Sequence, residues 1–313
     1  MIRLKNLMKY KKKILNYPHF ICIGPPKSAS TWVSDHLKFN KDIWLPPIQE
    51  LNYLFTGFYN FEGKNLMEYK YDPWSILKRI VRNKSIFSNS DKKFYKLAKK
   101  LTKIDPKGVN FNDYKKLFSI EEGKITGDIS PMYSSFNLNQ IKRLKKVLNT
   151  KIFMIVRNPV DRFISDLRHI EKYKVLGDID YFSEKNIKNF LYNKKIVVDT
   201  FQRHKVFYPS EIYKKWKKVW GNNFKCFFFD DIKSNPKLTL KKIINYIGAD
   251  NSKRISLIPV SINRNKAKKN YQIDTSSLRR IHKHFLPELK KCDKLFYGKG
   301  KKWLINSHNI LKN

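Results

Sequence analysis

Apolar positions along the chain fall into two alternating kinds of run. Phe20-Ile21-Cys22-Ile23 is continuous and short, the signature of a strand buried on both faces. Gly24-Pro25-Pro26 then turns the chain, and Trp32, Val33, His36, Leu37 and Phe39 recur at helical spacing. The same alternation returns downstream. Leu138, Ile141, Leu144, Val147 and Leu148 mark one side of a helix, and Lys151–Arg157 (KIFMIVR) reads as a second buried strand. Asn158-Pro159 turns it into a helix carrying Val160, Phe163, Ile164, Leu167 and Ile170, with proline in the first turn. A helix over Ser210–Trp220 leads through Gly221 to a strand over Phe224–Phe229. Asn235-Pro236 opens a helix through Leu240, Ile243, Ile244 and Ile247 that stops at Gly248. A basic loop over Asn263–Tyr271, a helix near Ser276–Phe285 and a lysine-rich end complete the chain.

Strands alternating with helices imply an α/β fold, a central parallel sheet with helices on both faces and ligands at the carboxyl ends of the strands. Neither repeats nor a Gly/Ser linker divide the chain. The expected organisation is a basic tail over residues 1–17 and a single domain over 18–313. Residues 57–120, irregular helices and loops of weak periodicity, and 171–205, again basic and irregular, would be insertions shaping the acceptor side.

Composition narrows the class. At 313 residues and 41% hydrophobic content the chain buries a substantial core, which excludes a disordered protein. Cys22, Cys226 and Cys292 are too scattered for a disulfide framework or metal cluster, and a reducing, cytoplasmic setting fits. The N-terminal stretch lacks a signal-peptide core and no run is long enough to span a membrane. The basic start would be a solvated tail or would lie on an anionic membrane surface. A net charge of +40 would attract anions of many kinds, but lysine far outnumbers arginine, as on a solvated lysine surface. Only charges placed by a motif therefore carry weight.

The turn after the first strand is such a place. Lys27-Ser28-Ala29-Ser30-Thr31-Trp32 opens a helix with small residues, where unpaired N–H groups and the positive end of the helix dipole receive an oxyanion. The Walker pattern puts its lysine after a second glycine; here Lys27 precedes the small residues. The order Pro-Lys-Ser-Ala-Ser-Thr-Trp instead resembles the PKSGTTW-type loop of sulfotransferases that use 3′-phosphoadenosine 5′-phosphosulfate (PAPS), with Ala29 in place of glycine. The resemblance implies a three-layer sandwich of the P-loop type, and a loop of residues 27–32 that grips the phosphosulfate.

A second segment, Arg157-Asn158-Pro159-Val160-Asp161-Arg162-Phe163-Ile164-Ser165, resembles the R-[ND]-P-x-[DE]-R-x-x-S segment by which that family binds the 3′-phosphate. Arg157 and Ser165 take that role by resemblance, and Asp161 with Arg162 could form a structural ion pair. Gln49-Glu50-Leu51-Asn52-Tyr53-Leu54-Phe55 resembles the K-E-x-x-[FY]-[FL] segment of the carbohydrate branch, with Gln49 for lysine. That likeness implies Glu50 as the base; the plain alternative is an exposed loop carboxylate. Asp128, in Gly127-Asp128-Ile129-Ser130-Pro131-Met132-Tyr133, is the reserve base, in a segment resembling the branch's G-[ED]-x-[ST]-P-x-Y motif. Asn265-Lys266-Ala267-Lys268 resembles the [SN]-K-G-R loop over the 3′-phosphate, which assigns Lys266 and Lys268 to the cofactor. The resemblance covers about residues 18–55 and 124–300. It implies transfer from PAPS, without a metal, to a hydroxyl-bearing acceptor, a glycan in this branch.

Two rivals remain at this stage. Phe227-Phe228-Phe229-Asp230-Asp231 could be a magnesium-holding strand of a P-loop kinase or nucleotide triphosphatase. The charge alone suggests a nucleic-acid-binding module, though no recognisable nucleic-acid motif accompanies it, and specific nucleic-acid binding is not expected.

Overall fold

Phe20–Cys22 (β1) is the middle strand of the sheet, with Ile43–Trp44 (β2) and Ile125–Ile129 (β3) on one side and Lys151–Val156 (β4) and Phe224–Phe228 (β5) on the other. The order is β2-β3-β1-β4-β5, and β1 runs parallel to both neighbours, Phe20 standing opposite Gly127 and Lys151. β3 is likewise parallel to β2. Phe20, Ile21, Cys22 and Ile23 are all buried, as are Ile152 to Val156 of β4, which explains why these runs show no polar alternation. A Cβ on Gly127 would meet the Phe20 ring at 2.1 Å, so glycine is what lets that ring lie across β3. This is the expected α/β arrangement, a central parallel sheet with helices around it.

The computed structural model describes residues 17–55, 88–101, 110–172, 179–192, 208–249 and 273–312. Residues 1–16, most of the two insertions and the loop holding Lys266 and Lys268 lie outside these. Ser30–Lys38 (α1), Asn89–Leu101 (α2), Phe111–Lys116 (α3), Leu138–Val147 (α4), Pro159–Lys172 (α5), Glu184–Tyr192 (α6), Pro209–Trp220 (α7), Phe229–Ser234 (α8), Pro236–Ile247 (α9) and Thr275–Lys312 (α10) are the helices described. None of them is long and apolar enough to cross a membrane.

Local rules account for their ends. Asn137 and Gln140 form a reciprocal capping box on α4, Asn235 caps α9 through Leu238 N, and Gly248 closes α9 at φ +90°. The described residues divide into two compact units. One takes residues 17–25, 29–55, 88–101, 110–155 and 215–249 and contains the sheet, with α1 packed against α9. The other takes residues 26–28, 156–172, 179–192, 208–214 and 273–312, where α5 and α6 pack on α10.

Three expectations change. Residues 184–192, inside the stretch expected to be irregular, form a helix that buries Ile187, Phe190 and Leu191. Asn89–Leu101 and Phe111–Lys116 are regular within the other insertion. The helix expected near 276–285 runs on through Pro287 and the lysine-rich end. Its backbone breaks at Phe296 and Tyr297, and His282 Nδ1 lies 2.9 Å from Ser307 Oγ. A straight helix would separate those residues by about 37 Å, so α10 folds back on itself. Gly300 makes the return possible: a Cβ there would meet the Cys292 carbonyl oxygen at 2.2 Å.

Candidate active site

The turn after β1 is tight and strained. Gly24 has φ +92°, and any side chain there would collide with the Pro131 carbonyl oxygen at 2.5 Å. Lys27 and Ala29 also occupy the left-handed region, at φ +64° and +70°, which costs a non-glycine residue about 1–2 kcal/mol. Such conformations persist where the surrounding structure imposes them, as it does at ligand clamps. Ala29 therefore departs from the family glycine at a position where the backbone itself favours glycine. Ala29 is also the N-cap of α1, and its carbonyl accepts the first helical bond, from Val33 N at 3.1 Å. The N–H groups of Ser30, Thr31 and Trp32 thus head the helix, with no side-chain cap. Ser30 and Trp32 are buried and Thr31 is half-buried. Ser28 is 1% exposed, and its hydroxyl has no hydrogen-bond partner among the described residues.

Arg157 leaves the end of β4 just before the Asn158 turn, where Asn158 Oδ1 accepts from Val160 N and its carbonyl from Arg162 N. Its guanidinium donates from Nη1 to the carbonyl oxygen of Lys27 at 2.7 Å. Two segments 130 positions apart therefore meet. Lys27 also reaches α5 electrostatically. His169 is held below its ordinary pKa first by burial and then by the Lys27 charge. Ser165 sits one turn before His169 on the same helix face, half-buried. Arg162 is buried and faces Asp166 Oδ2 at 3.6 Å, so the ion pair described runs to Asp166, one turn on.

Glu50 lies between β2 and a helical turn at Tyr53–Phe55, half-buried, with φ +59°; Asn52 follows at φ +52°. Asp128 is fully buried at the end of β3 and accepts three hydroxyls: Ser130 Oγ at 2.6 Å on Oδ1, and Tyr114 and Tyr133 at 2.8 Å each on Oδ2. Burial raises its carboxyl above the ordinary value, and the three hydroxyls act against that shift. Ser130 Oγ also accepts from Asn52 N at 3.1 Å, and the Tyr133 hydroxyl from Leu54 N at 3.2 Å. The network thereby joins the Asp128 segment to the Glu50 segment. Gln49 and Asp128 line the same small cleft, with Ser34, Pro46 and Ile48.

The aspartates of the kinase alternative are placed differently from a strand-borne pair. β5 ends at Phe228, one residue before the expected strand end, and Asp230 and Asp231 occupy the first turn of α8. β4 separates β5 from β1, whose turn carries Lys27.

The family model described as Sulfotransferase domain matches residues 17–309. The chain belongs to the sulfotransferase family. As a member, the sulfotransferase takes its sulfuryl group from PAPS and delivers it to a hydroxyl-bearing acceptor. Its fold is similar to that of a sulfotransferase from Alicyclobacillus acidocaldarius, at 16% identity and TM-score 0.61, covering 91% of this chain and 98% of that one. It is also similar to the sulfotransferase domain of the Synechococcus PCC 7002 olefin synthase, at 13% identity and TM-score 0.53, covering 90% and 95%. A sulfotransferase domain from the curacin biosynthetic pathway aligns at 12% identity and TM-score 0.50, covering 86% and 98%. No functionally curated protein matches the sequence.

The buried, unpartnered Ser28 hydroxyl beside Lys27 fits the sulfotransferase's donor: a phosphosulfate oxygen would supply the missing partner. Sequence reasoning did not find Tyr114, which sits in an insertion without a motif, or His169, whose relation to Lys27 depends on chain packing. No local signal marks either one.

Proposed function

We propose that the sulfotransferase transfers the sulfuryl group from PAPS to a carbohydrate hydroxyl by in-line displacement, in the cytoplasm. The observation that supports the reading is the 2.7 Å bond from Arg157 Nη1 to Lys27 O, which joins the two segments that would bind the anions. PAPS supplies an activated sulfuryl group and leaves as adenosine 3′,5′-bisphosphate. The Lys27 ammonium, the Ser28 and Thr31 hydroxyls and the N–H groups of Ala29, Ser30 and Trp32 would hold the phosphosulfate. Arg157 and Ser165 would hold the 3′-phosphate, with Lys266 and Lys268 from the later basic loop. Lys27 would neutralise charge on the departing phosphate oxygen, the point where negative charge accumulates.

Glu50 would take the proton of the acceptor hydroxyl. It is chosen over Asp128 because both Asp128 oxygens already accept hydroxyl hydrogens and the group is fully buried. The glycan assignment rests on the Glu50 segment's likeness to the carbohydrate branch. We also read residues 18–313 as one sulfotransferase domain. The charges that need stabilising face Lys, Arg and backbone N–H groups, so the proposed reaction uses no metal.

Calorimetric titration with adenosine 3′,5′-bisphosphate tests the site. Tight binding to the wild type and its loss in both Lys27→Ala and Arg157→Ala are expected. Undiminished affinity in either variant would overturn the assignment.

A further inference from the structure

We propose that Asp128 is a positioning residue that holds the Glu50 loop in its working conformation through the Ser130 and Tyr133 hydroxyls. The inference rests on the reading of Glu50 as base.

The loop needs holding. Glu50 and Asn52 are both left-handed at φ +59° and +52°, a conformation that a non-glycine chain leaves unless something fixes it. Two backbone amides of this loop are held by the turn that follows β3, Asn52 N by Ser130 Oγ at 3.1 Å and Leu54 N by Tyr133 OH at 3.2 Å. In both, a hydroxyl accepts. A hydroxyl carries one hydrogen, so it can present a lone pair to an amide reliably only when that hydrogen is committed elsewhere.

Asp128 supplies the commitment. Its Oδ1 takes the Ser130 hydrogen at 2.6 Å and its Oδ2 the Tyr133 hydrogen at 2.8 Å. An ionised carboxylate only accepts, so it sets the direction of both hydroxyls at once and turns their lone pairs toward the loop amides. Tyr114 gives Oδ2 its second donor, and the Tyr114 ring packs 5.6 Å from that of Tyr53, on the same loop. The chain of cause runs from Asp128 to the hydroxyls, from the hydroxyls to the Asn52 and Leu54 amides, and so to Glu50.

Asp128→Asn is the test, because it keeps volume and reverses polarity on one side. The new amide N–H must donate, and the hydroxyl facing it must then turn its hydrogen toward the loop amide. Hydrogen exchange of the Asn52 and Leu54 amides is measured on the full chain with adenosine 3′,5′-bisphosphate bound. Hydrolysis of PAPS, with water as acceptor, is the turnover probe. Protection of one or both amides is expected to fall about tenfold, turnover to fall about tenfold, and bisphosphate affinity to stay within about twofold.

In a Glu50→Gln background the same change should lower turnover less than about twofold, since the loop no longer carries the base. Retained amide protection in Asp128→Asn, or an equal loss of turnover in both backgrounds, would overturn the proposal. Tyr133→Phe, which deletes one hydroxyl and keeps the ring, guards against a misfolded variant: Leu54 protection should fall while Asn52 protection holds. Full turnover in Glu50→Gln alone would instead remove the base assignment, and the amide measurements would still judge the clamp separately.

Discussion

Arg157 donates to the carbonyl oxygen of Lys27 at 2.7 Å, from 130 positions further along the chain. The contact uses one donor of a planar fork that offers five. It ties the turn after β1 to the turn after β4, on strands that are direct neighbours in the sheet. The chain proceeds from β1 toward β2 on one side and later returns to β4 on the other, so strand order reverses here. That is where α/β sheets open a crevice at their carboxyl ends.

Arg157→Lys keeps the charge and loses the fork. A single ammonium cannot reproduce both the bond to the Lys27 carbonyl and two-pronged contact with a phosphate. Affinity for adenosine 3′,5′-bisphosphate should drop about 10- to 100-fold, as expected for a lost charge-assisted hydrogen bond. Calorimetry reads the change directly; a drop under twofold would show that charge alone suffices.

Ala29→Gly should stabilise the protein. Relief at φ +70° gains about 1–2 kcal/mol and the added freedom of the unfolded chain takes back about 0.4–1. A net gain of roughly 0.5–1 kcal/mol is expected in denaturant unfolding monitored by fluorescence. A loss of stability would mean that the Ala29 methyl makes contacts worth more than the strain.

The thiols should be silent in the native protein. Burial pushes the Cys22 and Cys226 thiols up to about 12 and raises Cys292 further still. Thiolate, the reacting form, is therefore scarce at pH 8. Iodoacetamide should modify all three residues in denaturant and none within the same time in buffer, by mass spectrometry. Rapid native labelling of Cys226, the half-buried member, would contradict this.

Acid should loosen the start of α10. Asp274 Oδ1 accepts from Ser277 N at 2.8 Å and from Ser276 Oγ at 2.7 Å, and these bonds hold its carboxyl down at about 2, from 3.8. A depressed carboxyl contributes stability that is present above about pH 4 and lost as pH falls toward 2. Asp274→Asn keeps a capping oxygen but no longer titrates. Unfolding midpoints of the two proteins between pH 4 and 2 should converge, and parallel curves would rule out the contribution.

Much of this was legible in the chain before any fold. Phe20–Cys22, the turn with Lys27 and the helix from Ser30 follow from short-range rules: a buried apolar run, a Gly-Pro break and helical spacing. The Asn158-Pro159 and Asn235-Pro236 helix starts, and the stop at Gly248, are equally local. Other elements escaped because their signal is not local. Residues 184–192 bury only Ile187, Phe190 and Leu191 against a lysine-rich background, so their periodicity shows only once a partner helix is known. The second half of α10 carries Gly300, Trp303 and Ser307 on its buried side, too few apolar positions to announce a helix.

By itself, then, the sequence determined which segments turn, which bury, and where Lys27, Glu50, Asp128, Arg157 and Ser165 stand along the chain, because steric and hydrophobic preferences act over a few residues. Only the tertiary structure decided that Lys27 meets Arg157, that Asp128 gathers the Tyr114, Ser130 and Tyr133 hydroxyls, and that α10 doubles back to bring Ser307 to His282. Those contacts depend on strand order, register and packing. No stretch of a dozen residues contains that information.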